Sequence, residues 1–399
     1  MKNLGTSSVV VAAFVGPGTV LTCASAGVDF GAALGWVLVF SVAATFILQS
    51  FTAGAGILAD KDVGEAMREL TTAPGTRAIL FFLVVLGLWA GTAAFETGNI
   101  LGAAAGLETL TGGSIARTWI VLTIGAIAAA TLALRLRMVT VMLTGLVAFM
   151  SIVFVATMVL APVNWGQALR GMVVWTIPEG SLINVLALVG TTVVAYNLFL
   201  HGSTAKQYWA QTDRSIAWRG ELTGMAIFLP LGGVISLAIM LAGSTLTVTE
   251  GSARSVATLA PLLEPAAGPM ASVLFGLGLF AAGITSAVTA PLAAAHGIRE
   301  ISGWPRDERH IGFRLVWISV LVTGLTFAMI GRSPLEIIIA AQAANGLLLP
   351  FMAGFVLYLS ARQPNVNLPR WYLGLGVLVT LICAILGART LLWVWGQVL

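Results

Sequence analysis

Gly16-Pro17-Gly18-Thr19 interrupts a long apolar run at 7–28, and Gly190-Thr191-Thr192 followed by Ala195-Tyr196-Asn197 interrupts another at 183–204. Proline removes a backbone donor and glycine weakens a helix. Unwound backbone at membrane depth is tolerated only where it faces protein or a wet cavity. The two breaks lie 174 positions apart, Gly16 to Gly190, and each opens a set of five apolar runs. Interrupted helices at matching positions in two halves predict an inverted-repeat transporter with its substrate site at the breaks. Taken alone, Gly-Pro-Gly also reads as a packing kink.

The rest of the chain is consistent with a bilayer. Of 399 residues, 58% are hydrophobic and 9% are charged, where a soluble domain carries roughly 25% charged residues. So little charge cannot cover a soluble surface of this size. Eleven runs, at 7–28, 31–58, 78–107, 117–134, 138–162, 183–204, 221–243, 271–296, 311–331, 335–361 and 371–398, are long enough to cross a hydrocarbon core of about 30 Å. The connections are short, with no low-complexity tract and no soluble domain. We therefore expect an all-α polytopic membrane protein with one transmembrane domain over 1–399. Its inverted repeats fall at approximately 1–162 and 183–361, and the eleventh span at 371–398 stands outside them. The first run ends in Val28-Asp29-Phe30-Gly31 rather than a small-residue cleavage site, so no cleaved leader is expected.

Charge placement predicts orientation. With the N-terminus inside, fifteen Lys and Arg fall in cytoplasmic segments, Lys61, Lys206 and Arg306 among them. Four, namely Arg117, Arg170, Arg254 and Arg332, fall outside. This bias places the N-terminus in the cytoplasm and the C-terminus outside, in a plasma (inner) membrane. Basic residues dispersed over alternate loops do not form the face of a nucleic-acid binder. Cys23 and Cys383 lie in apolar runs and read as buried thiols. No nucleophile–base pair or HExxH-like motif points to an enzyme, and no resident metal or cofactor is expected. A sensor or scaffold would carry a soluble output domain, and none is evident.

Several stretches together resemble the Nramp family of proton-coupled divalent metal transporters. Phe14-Val-Gly-Pro-Gly-Thr19 followed by Ala26-Gly-Val-Asp-Phe-Gly31 is similar to the family's first span, where an Asp-Pro-Gly-Asn break precedes Ala-Gly-x-x-Phe-Gly. Leu48-Gln49, Gly56-Ile57 and Asp60-Lys-Asp-Val-Gly-Glu65 resemble the second span and its loop. Gly190-Thr-Thr-Val-Val-Ala-Tyr-Asn-Leu-Phe-Leu-His201 resembles the sixth-span signature Gly-Ala-Thr-Val-Met-Pro-His-Asn-Leu-Tyr-Leu-His. Ala281-Ala-Gly283 with Thr285-Ser286, and Gln342 with Leu349-Pro350-Phe351, are similar to the eighth and tenth spans. The resemblance implies a LeuT-type fold, spans 1–5 and 6–10 forming the repeats. It places the substrate at Gly16, Pro17, Gly18, Thr19, Thr191, Thr192, Val194, Ala195, Tyr196, Asn197 and Gln342.

The departures bear on substrate. Metal-transporting members hold the ion with an Asp and an Asn of the first break, a Met thioether and a backbone carbonyl. By the resemblance those positions are Gly16, Thr19, Val194 and Thr191. The carboxylate, amide and sulfur are absent, and dehydrating a dication without a charge partner is unfavourable by several kcal/mol. Two helix N-termini, near Thr19 to Leu21 and Tyr196 to Leu198, offer N–H groups and positive partial charge. The sequence therefore predicts proton-linked uptake of a small anion, bicarbonate foremost, with divalent metal transport by an altered site as the alternative.

Polar residues within the spans complete the expectation. Glu96 is read as the only carboxylate deep in a span. It occupies the place of the family's third-span Asp, and the Glu three positions on is Asn99. Glu96 reads either as a proton site or as a neutral hydrogen-bonded carboxyl joining helices. His201 matches the second histidine of the signature and Tyr196 replaces the first. It reads as a proton relay or a structural histidine. Gln342 and Asn345 share a helix face and read as pathway lining or as amides joining helices. Trp36, Trp89 and Trp175 read as interface anchors and packing.

Overall fold

The computed structural model describes residues 16–70, 74–134, 137–246, 256–330, 333–363, 366 and 368–398, with the backbone alone at 137–140 and 393–398. The first half of the first expected span, before Gly16, lies outside them. Among the described residues the regular structure is helical throughout. The helices are α1 Pro17–Phe30, α2 Gly35–Leu58, α3 Val63–Leu70, α4 Pro74–Thr111, α5 Arg117–Leu134, α6 Arg137–Leu160 and α7 Trp165–Val173. They continue as α8 Leu182–Thr192, α9 Ala195–Tyr208, α10 Arg214–Gly243, α11 Ala271–Ser302, α12 Ile311–Ala328, α13 Pro334–Arg362 and α14 Arg370–Val398, with short 3₁₀ and α turns between α10 and α11. Ten stretches among the described residues are helical, long and apolar enough to cross a membrane. The all-α polytopic expectation holds.

Local chemistry sets the helix ends. Gly16 is extended, with φ −82° and ψ 166°, and Pro17 opens α1, where its fixed φ suits a helix and its missing N–H is no loss. Asp62 and Glu65 form a capping box at α3: the Asp62 N–H donates to Glu65 at 2.9 Å and the Glu65 N–H to Asp62 at 2.7 Å. Asp213 caps α10 by accepting from the N–H groups of Ser215 and Ile216.

The sixth span breaks later than expected. α8 continues through Gly190 and Thr192, and Val193 (φ −96°, ψ 89°) and Val194 (φ −97°, ψ 122°) leave the helical region before α9 begins. Two adjacent β-branched residues are stiff and mildly disfavour helix. Gly190 serves packing instead. A β-carbon there would sit 2.0 Å from the Gln342 carbonyl oxygen, so glycine lets α8 and α13 touch backbone to backbone.

α4 packs on α11, α12 and α13, while α13 also packs on α8 and α14. α2 lies against α9 and α10, and α10 against α1. Large apolar side chains such as Phe82, Trp119, Met142, Ile152 and Leu392 are exposed, as a lipid-facing surface requires. Trp36 stacks on Trp175 at 4.9 Å and its Nε1 donates to the Thr176 carbonyl, and Trp89 Nε1 donates to Ser319. Cys23 and Cys383 are buried free thiols. At one end of the bundle, Lys206 meets Glu65 at 2.7 Å and Asp60 at 3.8 Å, and Arg306 lies 3.8 Å from Asp62. Burial raises the Asp62 carboxyl. At Glu65 burial acts the same way but is outweighed by Lys206 and the Asp62 N–H, and the carboxyl is lowered.

The α8–α13 contact carries a prediction. Gly190→Ala should force the two helices apart and destabilise the fold by about 1–3 kcal/mol, the usual range for overpacking. It should lower the thermal unfolding midpoint in detergent. Gly354→Ala, whose β-carbon would meet Thr380 Cγ2 at 3.6 Å, should leave it unchanged. Equal midpoints for the two variants would refute the contact.

Candidate functional site

The two breaks meet. Thr19, on the first turn of α1, and Thr191, at the end of α8, stand with their hydroxyl oxygens 2.9 Å apart across the bundle. From α13, Gln342 reaches the same place. A β-carbon on Gly18 would lie 2.0 Å from its Nε2, and one on Gly98 of α4 3.5 Å away. Gln342 is fully buried, and neither Nε2 nor Oε1 has a hydrogen-bond partner among the described residues. An unpartnered buried amide is costly. Ser286, from α11, closes the far side, its Oγ 3.3 Å from where a Gly16 β-carbon would lie.

The other expected residues divide. Pro17, Gly18, Thr192, Val194, Ala195, Tyr196 and Asn197 are all buried around the breaks. Thr192 turns its hydroxyl back to the Leu188 carbonyl at 2.9 Å, so its side chain serves its own helix. Tyr196 meets Phe95 edge to face at 5.8 Å, which brings α9 against the turn of α4 that carries Glu96. Glu96 is fully buried, and one oxygen accepts from Asn99 Nδ2 at 3.3 Å. Its other oxygen has no hydrogen-bond partner among the described residues. Gly324 of α12 packs on it, a β-carbon there falling 2.6 Å from Glu96 Cγ.

The two amides of α13 have separate roles. Asn345 Nδ2 donates to the Gly190 carbonyl at 2.6 Å and lies 3.5 Å from that of Val193, so it binds backbone at the break. Gln342 instead keeps its amide unpartnered beside Gly18.

Two expectations need correction. Glu96 is not the only buried acid. Glu221, at the start of the seventh span, is fully buried and stands 3.3 Å from His201. Its place at the margin of an apolar run, beside Arg219 and Gly220, hid it. Ser286 and the buried Gln49 lie within the quoted motifs but outside the expected set of site residues.

The anion-favouring field is also not what the fold builds. Val20 N–H is bonded to the Gly16 carbonyl, and the Asn197 and Leu198 N–H groups to that of Val194, so three of the donors expected to face an anion are already engaged. Pro17 has none to give. The C-terminal end of α8, whose last carbonyls carry negative partial charge, faces the same break and opposes the positive end of α9. Hydroxyls, carbonyl oxygens and the Gln342 Oε1 remain as donors to a cation. Among the described residues no group of three or more His, Cys, Asp or Glu could hold a metal ion.

Comparison with known proteins completes the picture. The Nramp family pattern, described as natural resistance-associated macrophage protein-like, matches residues 7–393. A divalent metal cation transporter MntH of Klebsiella pneumoniae is 24% identical over 385 residues, spanning 94% of this chain and 89% of the relative. That of Verminephrobacter eiseniae is 25% identical over 403 residues, spanning 97% and 88%. Among solved structures, a manganese transporter of Eremococcus coleocola superposes with a TM-score of 0.76 at 21% identity, over 97% of this chain and 85% of that one. A nucleobase-cation-symport-1 family transporter, Mhp1, superposes more loosely, at 0.55 and 16%. The likeness to these structures shows a shared fold, and with the family pattern matched over nearly its whole length this chain belongs to the Nramp family.

Proposed function

We propose that this protein is a secondary transporter that carries a divalent metal ion through the paired breaks, coupled to protons through Glu96. The anion reading of the sequence is corrected by the relatives, which are named divalent metal cation transporters, and by the manganese transporter that shares the fold. The observation that carries the metal reading is the Thr19–Thr191 pair. Its oxygens are 2.9 Å apart, close to the edge of about 3.0 Å between neighbouring ligands in an octahedron with metal–oxygen distances of ~2.1 Å.

The donors on offer are the two hydroxyls, the Thr191 carbonyl and Gln342 Oε1. All are hard oxygens, which suit manganese or magnesium better than softer metals. With no carboxylate in contact, the ion keeps part of its water shell, and bridging waters reach Asn197 and Tyr196. The repeats at approximately 1–162 and 183–361 would rock about this site, with the eleventh span at the side. The N-terminus lies in the cytoplasm by the bias of basic residues.

Uptake into proteoliposomes of manganese, magnesium and bicarbonate, each with and without a pH gradient, tests the reading directly. A divalent ion should accumulate and bicarbonate should not.

Three predictions follow from the site and the orientation. Gly16 has backbone angles open to any residue and, among the described residues, only Ser286 Oγ within 4 Å of a would-be β-carbon. Gly16→Asp should therefore restore a carboxylate beside the ion and lower the calorimetric Kd for manganese at least tenfold, since opposite charges at about 4 Å attract by several kcal/mol at an effective dielectric of 20. Gly16→Asn should change it far less, and equal effects would mean that fit, not charge, governs the site. Glu96→Gln should flatten the pH dependence of uptake, and an unchanged pH profile would return Glu96 to a structural role. Single cysteines at positions 61, 206 and 306 should all resist an impermeant maleimide added to sealed cells, and labelling at any of them would reverse the orientation.

A further inference from the structure

We infer that Glu300 makes one end of the bundle an acid-locked gate: protonated, it ties the half-helix α9 to α3 and α11, and ionised, it lets them part. The consequence for transport rests on the reading of this chain as a transporter, and the lock itself does not. This end carries Lys206 and Arg306 and is cytoplasmic by the bias of basic residues. Glu300 lies beyond the apolar run at 271–296.

Three elements meet at Glu300. A β-carbon on Gly64 would strike the Glu300 carbonyl oxygen, so α3 lies backbone to backbone on the last turns of α11. Arg68 of α3 donates to the Glu300 carbonyl and, at 3.1 Å, to that of Ile301, carbonyls that a helix end leaves free. From α9, Ser203 is hydrogen-bonded to the Glu300 carboxyl. Lys206, further along α9, meets Glu65 of α3 at 2.7 Å. α9 leads away from the second break, and its far end is thus held by α3 and by one side chain of α11.

Hydrogen bonding sets the charge of that side chain. Ser203 Oγ also lies 3.2 Å from the Phe199 carbonyl oxygen, and a hydroxyl has a single proton to donate. An ionised Glu300 only accepts, and would compete with Phe199 for that proton. A protonated Glu300 donates to Ser203 Oγ and leaves the hydroxyl proton to Phe199. The other Glu300 oxygen is buried with no hydrogen-bond partner among the described residues, which costs a neutral carboxyl far less than a carboxylate. Asp62, which caps α3, is buried as well and acts on Glu300, so ionising both would set like charges against each other.

The neighbouring charges are otherwise engaged. Those whose fields reach Glu300 are Asp62, Arg299 and Arg306. Arg299 lies over the Phe313 ring, and Arg306 stands 3.8 Å from Asp62. On α11 itself His296 is 3.7 Å from Glu308. On α3 Glu69 pairs with Lys61, and on α9 His201 stands against Glu221. α4 brings Arg77, Glu96, which accepts from Asn99, and Glu108, which pairs with Arg117 of α5. α12 brings Arg314, and α1 brings Cys23 and Asp29.

Closing the gate takes up a proton at Glu300, and opening it to water returns that proton to the solvent. Acid therefore favours the closed gate and alkali the open one. Protons that enter with cargo would lock the exit behind them, a brake on further uptake.

The test is hydrogen exchange on the full chain in nanodiscs, corrected for the intrinsic rate, followed over residues 62–70 and 203–208. Wild-type protection there should fall at least fivefold from about pH 6 to about pH 8.5. Glu300→Gln, whose amide donates to Ser203 without titrating, should stay protected at both. Asp62→Asn keeps the helix cap and removes the repulsion, so its response should be smaller than that of wild type. A wild-type response in Glu300→Gln would overturn the inference, and so would an unchanged response in Asp62→Asn, which decides the matter if the Gln variant does not fold. In proteoliposomes, manganese uptake by Glu300→Gln should be at least fivefold slower than wild type with the interior at about pH 8.5 and equal to it at about pH 6. A constant ratio between the two proteins would overturn the gate. Exchange that responds as stated while wild type moves no manganese would leave the lock standing and overturn the metal-transport reading.

Discussion

Backbone amides and carbonyls find no water in hydrocarbon, so an interrupted helix persists only where protein replaces the hydrogen bonds the helix gave up. Here Asn345 makes the replacement. Its Nδ2 reaches the Gly190 carbonyl at 2.6 Å and approaches that of Val193 at 3.5 Å. Without it, a buried carbonyl would be orphaned at a cost of about 1–3 kcal/mol. The amide gets there because α13 runs against α8 with Gly190 and Gly346 at the contact, where added β-carbons would strike the Gln342 and Leu186 carbonyl oxygens at 2.0 and 2.5 Å. One bond between α13 and the break thus holds the interruption in place.

The same contact puts Gln342 beside Gly18 at the first break. It lies one turn before Asn345 on the same face of α13, yet it bonds to nothing described. Thr19 and Thr191 satisfy each other across the two halves of the chain. An oxygen site without a carboxylate in contact gives up strength. The buried acids Glu96 and Glu221 stand elsewhere, each with a partner of its own in Asn99 and Trp209.

Much of this was legible in the residues. The two breaks, the span count and the membrane class follow from Gly16-Pro17-Gly18, the sixth-span stretch and the near absence of charge. The position of the second break did not follow, because Gly190 reads as a helix breaker in isolation and becomes a packing residue only when α13 is beside it. Glu221 was lost for a similar reason. Hydropathy ends the seventh span at this acid, and only the fold shows Trp209 and His201 enclosing it. The electrostatic reading of the breaks counted the positive ends of α1 and α9. The opposing carbonyl end of α8 and the engaged donors at Val20, Asn197 and Leu198 are matters of geometry. Spacing places Gln342 and Asn345 on one face, but nothing in spacing tells which of the two amides binds backbone and which stays unpartnered.

The central claim is that neutral oxygens where the two breaks meet hold a divalent cation. Anomalous difference density at the manganese edge, from crystals of the unaltered protein grown with manganese, tests it most directly. The account predicts one dominant peak between the Thr19 and Thr191 hydroxyls and within reach of Gln342. A dominant peak elsewhere in the bundle, or none at the breaks when manganese is saturating, would contradict it.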